Sequence, residues 1–235
     1  MLYQAVKAHV QPLNSSTQLP QEHILIGAGF DDVVELSREG NLSCVSVACP
    51  FSAKTLAEFV EAAHSFTDLP PFESGRISSS SSIESKVERA ISKHFSRKWS
   101  FSQEAADNCA QSFASAVRAA FSAGLVMDHC EIGISKQLPR RDSAEVVLHT
   151  DNTAYHAITT LAGLTTKWTL RENVDWSSAD ASRAIYRPVD LSAVRSLDLG
   201  AIAFFKGSRV SSETAFIHGA PVPHSDRIFG DISLR

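Results

Sequence analysis

No stretch of this sequence approaches the ~18 consecutive apolar residues of a membrane span, so no transmembrane segment is expected. The opening residues Met1-Leu2-Tyr3-Gln4-Ala5-Val6-Lys7 lack the apolar run of a secretory signal, which makes the cytoplasm the expected location. A basic excess is missing too: 22 Lys+Arg stand against 26 Asp+Glu, for a net charge of -4. Without a face-sized surplus of cations to displace counterions, a nucleic-acid partner is not expected. The pairs Arg97-Lys98 and Arg140-Arg141 read as solvated surface. Cysteine is scarce. Cys44, Cys49, Cys109 and Cys130 show no Cys-x-x-Cys spacing, which argues against a zinc ribbon or redox pair and leaves buried reduced thiols. There is no internal repeat.

What is present is an ordinary globular balance. The 235 residues are 43% hydrophobic and 20% charged, enough to bury a sizeable core as a single domain. Residues 1–22 carry Pro12 and Pro20 and read as a loose N-terminal arm. Residues 23–124 are expected to be mainly helical, after short strands at Ile24 to Ile26 and Leu42 to Ala48. Ser52 can cap a helix over Ala53 to Phe66, with Leu56, Phe59, Val60 and Ala63 at helical spacing. Pro70-Pro71 and the serines Ser78 to Ser82 interrupt the chain. A helical stripe of Val87, Ala90 and Ile91 follows Ile83. A longer helix is expected over Ser102 to Ala123, with Gly124 placed to end it.

The pattern changes after Gly124. Glu145 to Thr150, Ala157 to Leu161, Lys167 to Leu170, Ala201 to Phe205, Thr214 to His218 and Arg227 to Ser233 read as strands, so residues 125–235 are expected to form a β-fold. The class is therefore α+β, a helical N-terminal half packed on a C-terminal sandwich or barrel.

Candidate ligands follow from residue type and spacing. His149-Thr150-Asp151 closes the run Glu145 to Leu148. Residues two apart on a strand face the same side, so an imidazole and a carboxylate can share one metal there. With nine histidines in the chain, so short a motif carries little by itself. His218 precedes the turn-rich Gly219-Ala220-Pro221-Val222-Pro223 and supplies a second imidazole. Two histidines and a carboxylate form a facial triad, which leaves three positions of an octahedral iron(II) for a co-substrate and oxygen. Arg227 lies nine residues after His218. A hairpin between them would bring its guanidinium beside the metal, in reach of the far carboxylate of a 2-oxoacid. His224 competes with His218 as the distal ligand. Asn152, Tyr155, His156 and Lys206 are the substrate-side candidates. Each has a plainer reading: a hydrogen-bonded histidine, an Asx turn at Asp151, a solvated lysine, a packed His218 or a surface Arg227.

The stretch from His149 to Trp168 also resembles a bacterial domain-of-unknown-function family, number eighteen-twenty-six (DUF1826). The likeness rests on His149-Thr150-Asp151, the apolar run Ala157 to Leu161, and the turn Ala162-Gly163-Leu164-Thr165 leading to Thr166-Lys167-Trp168. Lys206-Gly207, His218-Gly219-Ala220-Pro221 and Arg227 continue it, and it reaches back to about Asn41. This chain departs from the family at Thr165, where members tend to have glycine. It departs again at Asn152-Thr153-Ala154-Tyr155, where members are more basic. The resemblance implies a fold and a site, and a link to zinc homeostasis. The ligand order is similar to that of the iron(II)/2-oxoglutarate-dependent oxygenases, whose double-stranded β-helix (a jelly-roll, cupin-like fold) carries the same triad and arginine.

The resulting expectation is an iron(II)- and 2-oxoglutarate-dependent dioxygenase acting on an unidentified substrate. His149, Asp151 and His218 would hold the metal, and Arg227 the 2-oxoglutarate. The alternatives are a non-catalytic protein of the same fold that binds zinc, and a hydrolase using a zinc-bound water.

Overall fold

Two serines start two of the helices that shape this protein. The Ser52 hydroxyl accepts the Thr55 amide at 3.1 Å, and the Ser102 hydroxyl accepts that of Ala105 at 3.3 Å. Each satisfies an amide that a helix start would otherwise leave orphaned. The computed structural model describes residues 23–66, 69–79, 83–137, 147–179, 185–221 and 226–235. The expected N-terminal arm, Arg140-Arg141 and His224 lie outside these residues. The helices are α1 (Glu35–Arg38), α2 (Ala53–Ser65), α3 (Ile83–Lys98) and α4 (Gln103–Ser122). Gly124, at φ +70°, ends the α4 segment in the left-handed conformation that glycine adopts without strain. No helix among the described residues is long and apolar enough to cross a membrane.

The strands are β1 (His23–Ala28), β2 (Leu42–Val47), β3 (Phe72–Glu73), β4 (Ile77–Ser78), β5 (His129–Gln137), β6 (Leu148–His149), β7 (Tyr155–Ala162), β8 (Lys167–Thr169), β9 (Ile185–Tyr186), β10 (Arg195–Ser196), β11 (Ile202–Lys206), β12 (Ile217–Gly219) and β13 (Arg227–Leu234). They form two sheets. The major one runs β1-β2-β11-β7-β13-β5-β3, with β4 also on β5, and the minor one runs β10-β8-β12-β6-β9. The four strands β1 to β4 thus leave the first half of the chain to complete the major sheet. The strand expected over Thr214 to His218 is shorter than its apolar run implies, because ladder pairing starts only at Ile217.

Strand parity sorts the side chains of the major sheet onto two faces. Ile228 and Ile232 of β13, Ala157 and Leu161 of β7, and Ile202 and Phe204 of β11 join α2, α3 and α4 in one large apolar cluster. Within it Phe59 stands edge-on to Phe95 at 5.4 Å and to Phe101 at 4.9 Å, and Phe95 meets Trp99 at 4.7 Å. Such pairs add about 0.5–1.5 kcal/mol beyond their burial. Helix α4 lies close on β13: a Cβ on Gly230 would stand 3.0 Å from the Phe113 ring. The opposite face of the major sheet meets the minor sheet through Cys44, Ile158, Ala203 and Phe205 on one side and Trp168 and Phe216 on the other. The candidate residues gather in this space between the sheets.

Candidate metal centre

Strand β12 pairs with β6 and places His218 directly opposite His149. Their rings lie 4.5 Å apart, centroid to centroid. Asp151 sits just past the end of β6, in a loop rather than on a strand. The expected two-residue alternation therefore does not orient it; the segment after β11 does. Ser208 donates to the Asp151 carbonyl through its amide at 2.8 Å and its hydroxyl at 3.1 Å, and the Gly207 amide donates to Ala154 at 2.8 Å. A Cβ at Gly207 would collide with the Thr153 carbonyl, so only glycine permits so close an approach.

The three side chains converge. The Asp151 Oδ1 lies 3.4 Å from His149 Nε2 and 3.9 Å from His218 Nε2, and ligand atoms of all three fall within 4.8 Å of one another. Neighbouring ligands at about 2.1 Å from a shared ion sit roughly 3 Å apart, so small side-chain adjustments suffice to bring these onto one metal. The donor chemistry fits as well. His218 Nδ1 lies 3.3 Å from the Phe216 carbonyl. A proton on that nitrogen leaves the Nε2 lone pair facing Asp151. Burial, together with the neighbouring His149, pulls the His218 imidazole down to about 4, which keeps it neutral and ligand-ready at pH 7. Burial alone would raise the Asp151 carboxyl, but hydrogen bonds from His149 and His156 hold it well below the usual carboxylate range. One anionic, partly buried donor and one neutral, buried donor, beside a half-exposed His149, make a set suited to a divalent cation.

His156, a substrate-side candidate by its sequence position, turns one ring nitrogen to the candidate ligand Asp151. Its Nδ1 lies 2.7 Å from Asp151 Oδ2. Burial opposes its charge, yet Asp151 and Asp231 raise it to about 9. Asn152 is exposed at the rim, where its Oδ1 accepts from Arg209 Nε at 3.3 Å. Tyr155 and Lys206 occupy the other parity and turn away from the triad. Tyr155 packs against the helical core. The Lys206 ammonium donates to the carbonyls of Glu39 at 2.6 Å and Gly40 at 3.2 Å. It is a buried tie between β11 and the turn before β2, neither the solvated lysine nor the substrate contact that its sequence position allows.

Arg227 reaches the same interior by a different route from the one expected. It and His218 are not hairpin neighbours, since β12 belongs to the minor sheet and β13 to the major one. Arg227 is 3% exposed, its guanidinium lies 4.5 Å above the Phe229 ring, and Phe229 packs into the cluster between the sheets. It donates to Thr160 Oγ1 at 2.9 Å, Thr166 Oγ1 at 2.6 Å and Gln137 Oε1 at 3.3 Å. Gly163, at φ +83°, lets the turn carrying Thr166 come this near, because a Cβ there would strike the Asp226 carbonyl. Among the described residues no carboxylate pairs with this cation, and its Nε is buried without a partner. Burial lowers its pKa to about 10, still far above neutrality. A buried cation held only by neutral groups is costly, and it fits an anion that arrives as a ligand. Thr160, Gln137 and Asp231 are the site residues that sequence reasoning missed. Thr166 lies within the Thr-x-Trp motif, but nothing in the sequence marks its hydroxyl as the arginine's partner.

Residues 63–229, well over half of the chain, match the family described as "Protein of unknown function (DUF1826)". No curated protein matches the chain. Among solved structures it is similar to dioxygenase for auxin oxidation 1 from Arabidopsis thaliana in complex with 2-oxoglutarate. That likeness has 14% identity and a TM-score of 0.44, covering 87% of this chain and 86% of the other. It is also similar to a full-length Neurospora crassa protein in complex with alpha-KG and 5-formyluracil, at 9% identity and a TM-score of 0.46 over 94% and 86% of the two chains. A Pseudomonas putida prolyl-4-hydroxylase is similar at 12% identity and a TM-score of 0.43, over 93% and 99%.

Proposed function

The chain belongs to the DUF1826 family, and we propose that this member is an iron(II)- and 2-oxoglutarate-dependent oxygenase built on a jelly roll of two facing sheets. The observation that carries the reading is the pairing of two features across one interior. Three convergent donors meet the apolar cluster between the sheets at Phe205 and Phe216, and a buried arginine, without a carboxylate partner among the described residues, meets it at Phe229. A metal carrier that does no chemistry accounts for His149, Asp151 and His218 but gives no use to Arg227. A co-substrate with a metal-chelating end and a second carboxylate accounts for both.

In this reading His149, Asp151 and His218 hold the iron. Arg227 takes the far carboxylate of 2-oxoglutarate in a two-pronged hydrogen bond, with Thr160 and Thr166 able to turn their hydroxyls toward the same anion. Bound iron(II) and 2-oxoglutarate would supply the electrons that activate dioxygen, the oxidant, while the protein would supply orientation and a dry pocket. Ile158, Trp168, Phe205 and Phe216 form the apolar lining that excludes water. The half-exposed His149 and the loop at Asn152 mark the side open to a primary substrate.

The test is a titration without oxygen. Iron(II) followed by 2-oxoglutarate should produce a visible metal-to-ligand charge-transfer band that saturates at one equivalent of each. Tight zinc retention, with no band and no response to 2-oxoglutarate, would replace this reading with that of a zinc-binding protein.

A further inference from the structure

The metal reading leaves one charged chain of residues unexplained. His156, on β7, has its Nδ1 at 2.7 Å from Asp151 Oδ2 and its Nε2 at 3.7 Å from Asp231 Oδ2 on the adjacent strand β13. Both ring nitrogens therefore face carboxylate oxygens, the arrangement of an imidazole with N–H on each. The second contact is an ion-pair distance rather than a hydrogen bond, and Nε2 is buried with no other partner among the described residues. Asp231 sits where it does because the residue opposite it on β5 is Gly133. A Cβ at Gly133 would stand 2.6 Å from Asp231 Oδ1 and push the carboxylate aside. Glycine at 133, aspartate at 231 and histidine at 156 thus form a continuous support that ends on the candidate ligand.

We infer that Asp231 and His156 act as positioning residues that hold Asp151 Oδ2 off the metal and present Oδ1 alone to it. The two oxygens of Asp151 already differ in their surroundings. Oδ2 is engaged by His156, while Oδ1 faces the Nε2 atoms of His149 and His218. A carboxylate free to turn can take a metal with both oxygens and occupy a position that an incoming ligand needs. Locking one oxygen fixes the ligand count and the rotamer together, as outer-shell partners of metal ligands do. The inference rests on the metal reading above, and it gives His156 a task in place of the substrate contact expected from its sequence position.

Cobalt(II) titrated into the full chain, followed by its visible d–d absorption, tests it. His156→Ala should weaken cobalt affinity by about 10- to 100-fold and alter the d–d spectrum as Asp151 changes its binding mode. His156→Asn should recover most of the affinity and the wild-type spectrum, because its amide nitrogen can stand where Nδ1 stood. Asp231→Ala, which leaves the Nδ1 contact in place, should cause a smaller loss of the same kind. Unchanged affinity and spectrum in His156→Ala would overturn the inference, and so would an asparagine variant no better than alanine. Failure of the metal reading looks different: the wild-type chain itself takes up no cobalt, or takes it up equally well as His149→Ala, and the inference then falls with it.

Discussion

Replacing Arg227 with methionine is expected to leave metal binding intact and to weaken 2-oxoglutarate binding by about 30-fold to several thousand-fold. The range follows from the ~2–5 kcal/mol lost when one partner of a buried, hydrogen-bonded charge pair is truncated, at about 1.4 kcal/mol per tenfold. Methionine fills much of the same volume without the charge. The unliganded protein loses hydrogen bonds to Thr160, Thr166 and Gln137, but it also sheds a buried cation with no carboxylate beside it among the described residues. Its stability should therefore change little, since apolar replacement of buried charge is often neutral or stabilising. An arginine kept only for packing gives the opposite pattern, in which the protein melts earlier and binds 2-oxoglutarate as before. Calorimetric titration of 2-oxoglutarate into the metal-loaded variant, beside a thermal melt of the unliganded one, separates the two.

Alanine at any one of His149, Asp151 or His218 should cost at least two orders of magnitude in metal affinity. Apparent binding free energies of ~10–16 kcal/mol for four-ligand zinc sites correspond to about 3 kcal/mol per ligand, and a three-ligand site has less to spare. The unliganded variants should differ among themselves. His149 is 42% exposed and its side chain meets Asp151 and the His218 ring, so His149→Ala should melt close to the wild-type temperature. His218 is buried against Phe205 and Phe216, with ring separations of 4.7 and 5.4 Å, and its loss opens a cavity. Asp151→Ala takes away the nearer of the two carboxylates that face the buried His156, leaving Asp231 at 3.7 Å, and should melt below His149→Ala. Equal metal loss with unequal melting is the signature expected of three ligands that share one ion in different surroundings.

Local signals make much of this molecule readable from its sequence. Ser52 caps α2 as its position predicts, α4 starts just after Ser102, and Gly124 follows its end, because capping and helical period act within a few residues. His149, Asp151 and His218 can be named together because residue type and order suffice for a ligand set. Pairing between distant strands is not readable. His218 and Arg227 are near in sequence and suggest a hairpin, yet long-range register sends one strand to each sheet. Strand parity hides the roles of Tyr155, His156 and Lys206, since a shift of one residue turns a side chain from the triad to the helical core. Four of the five two-residue strands among the described residues, β3, β4, β9 and β10, carry too few residues for any periodicity to show; the fifth, β6, closes the longer run from Glu145.

The central claim is that the triad and Arg227 serve a single site. A crystal structure grown without oxygen, with manganese(II) in place of iron(II) and 2-oxoglutarate present, tests it most directly. The account predicts one ion about 2 Å from His149, His218 and a single oxygen of Asp151, chelated by the keto-acid end of 2-oxoglutarate, whose far carboxylate rests on Arg227. An ion bound elsewhere, or a 2-oxoglutarate whose far carboxylate avoids Arg227, would contradict it.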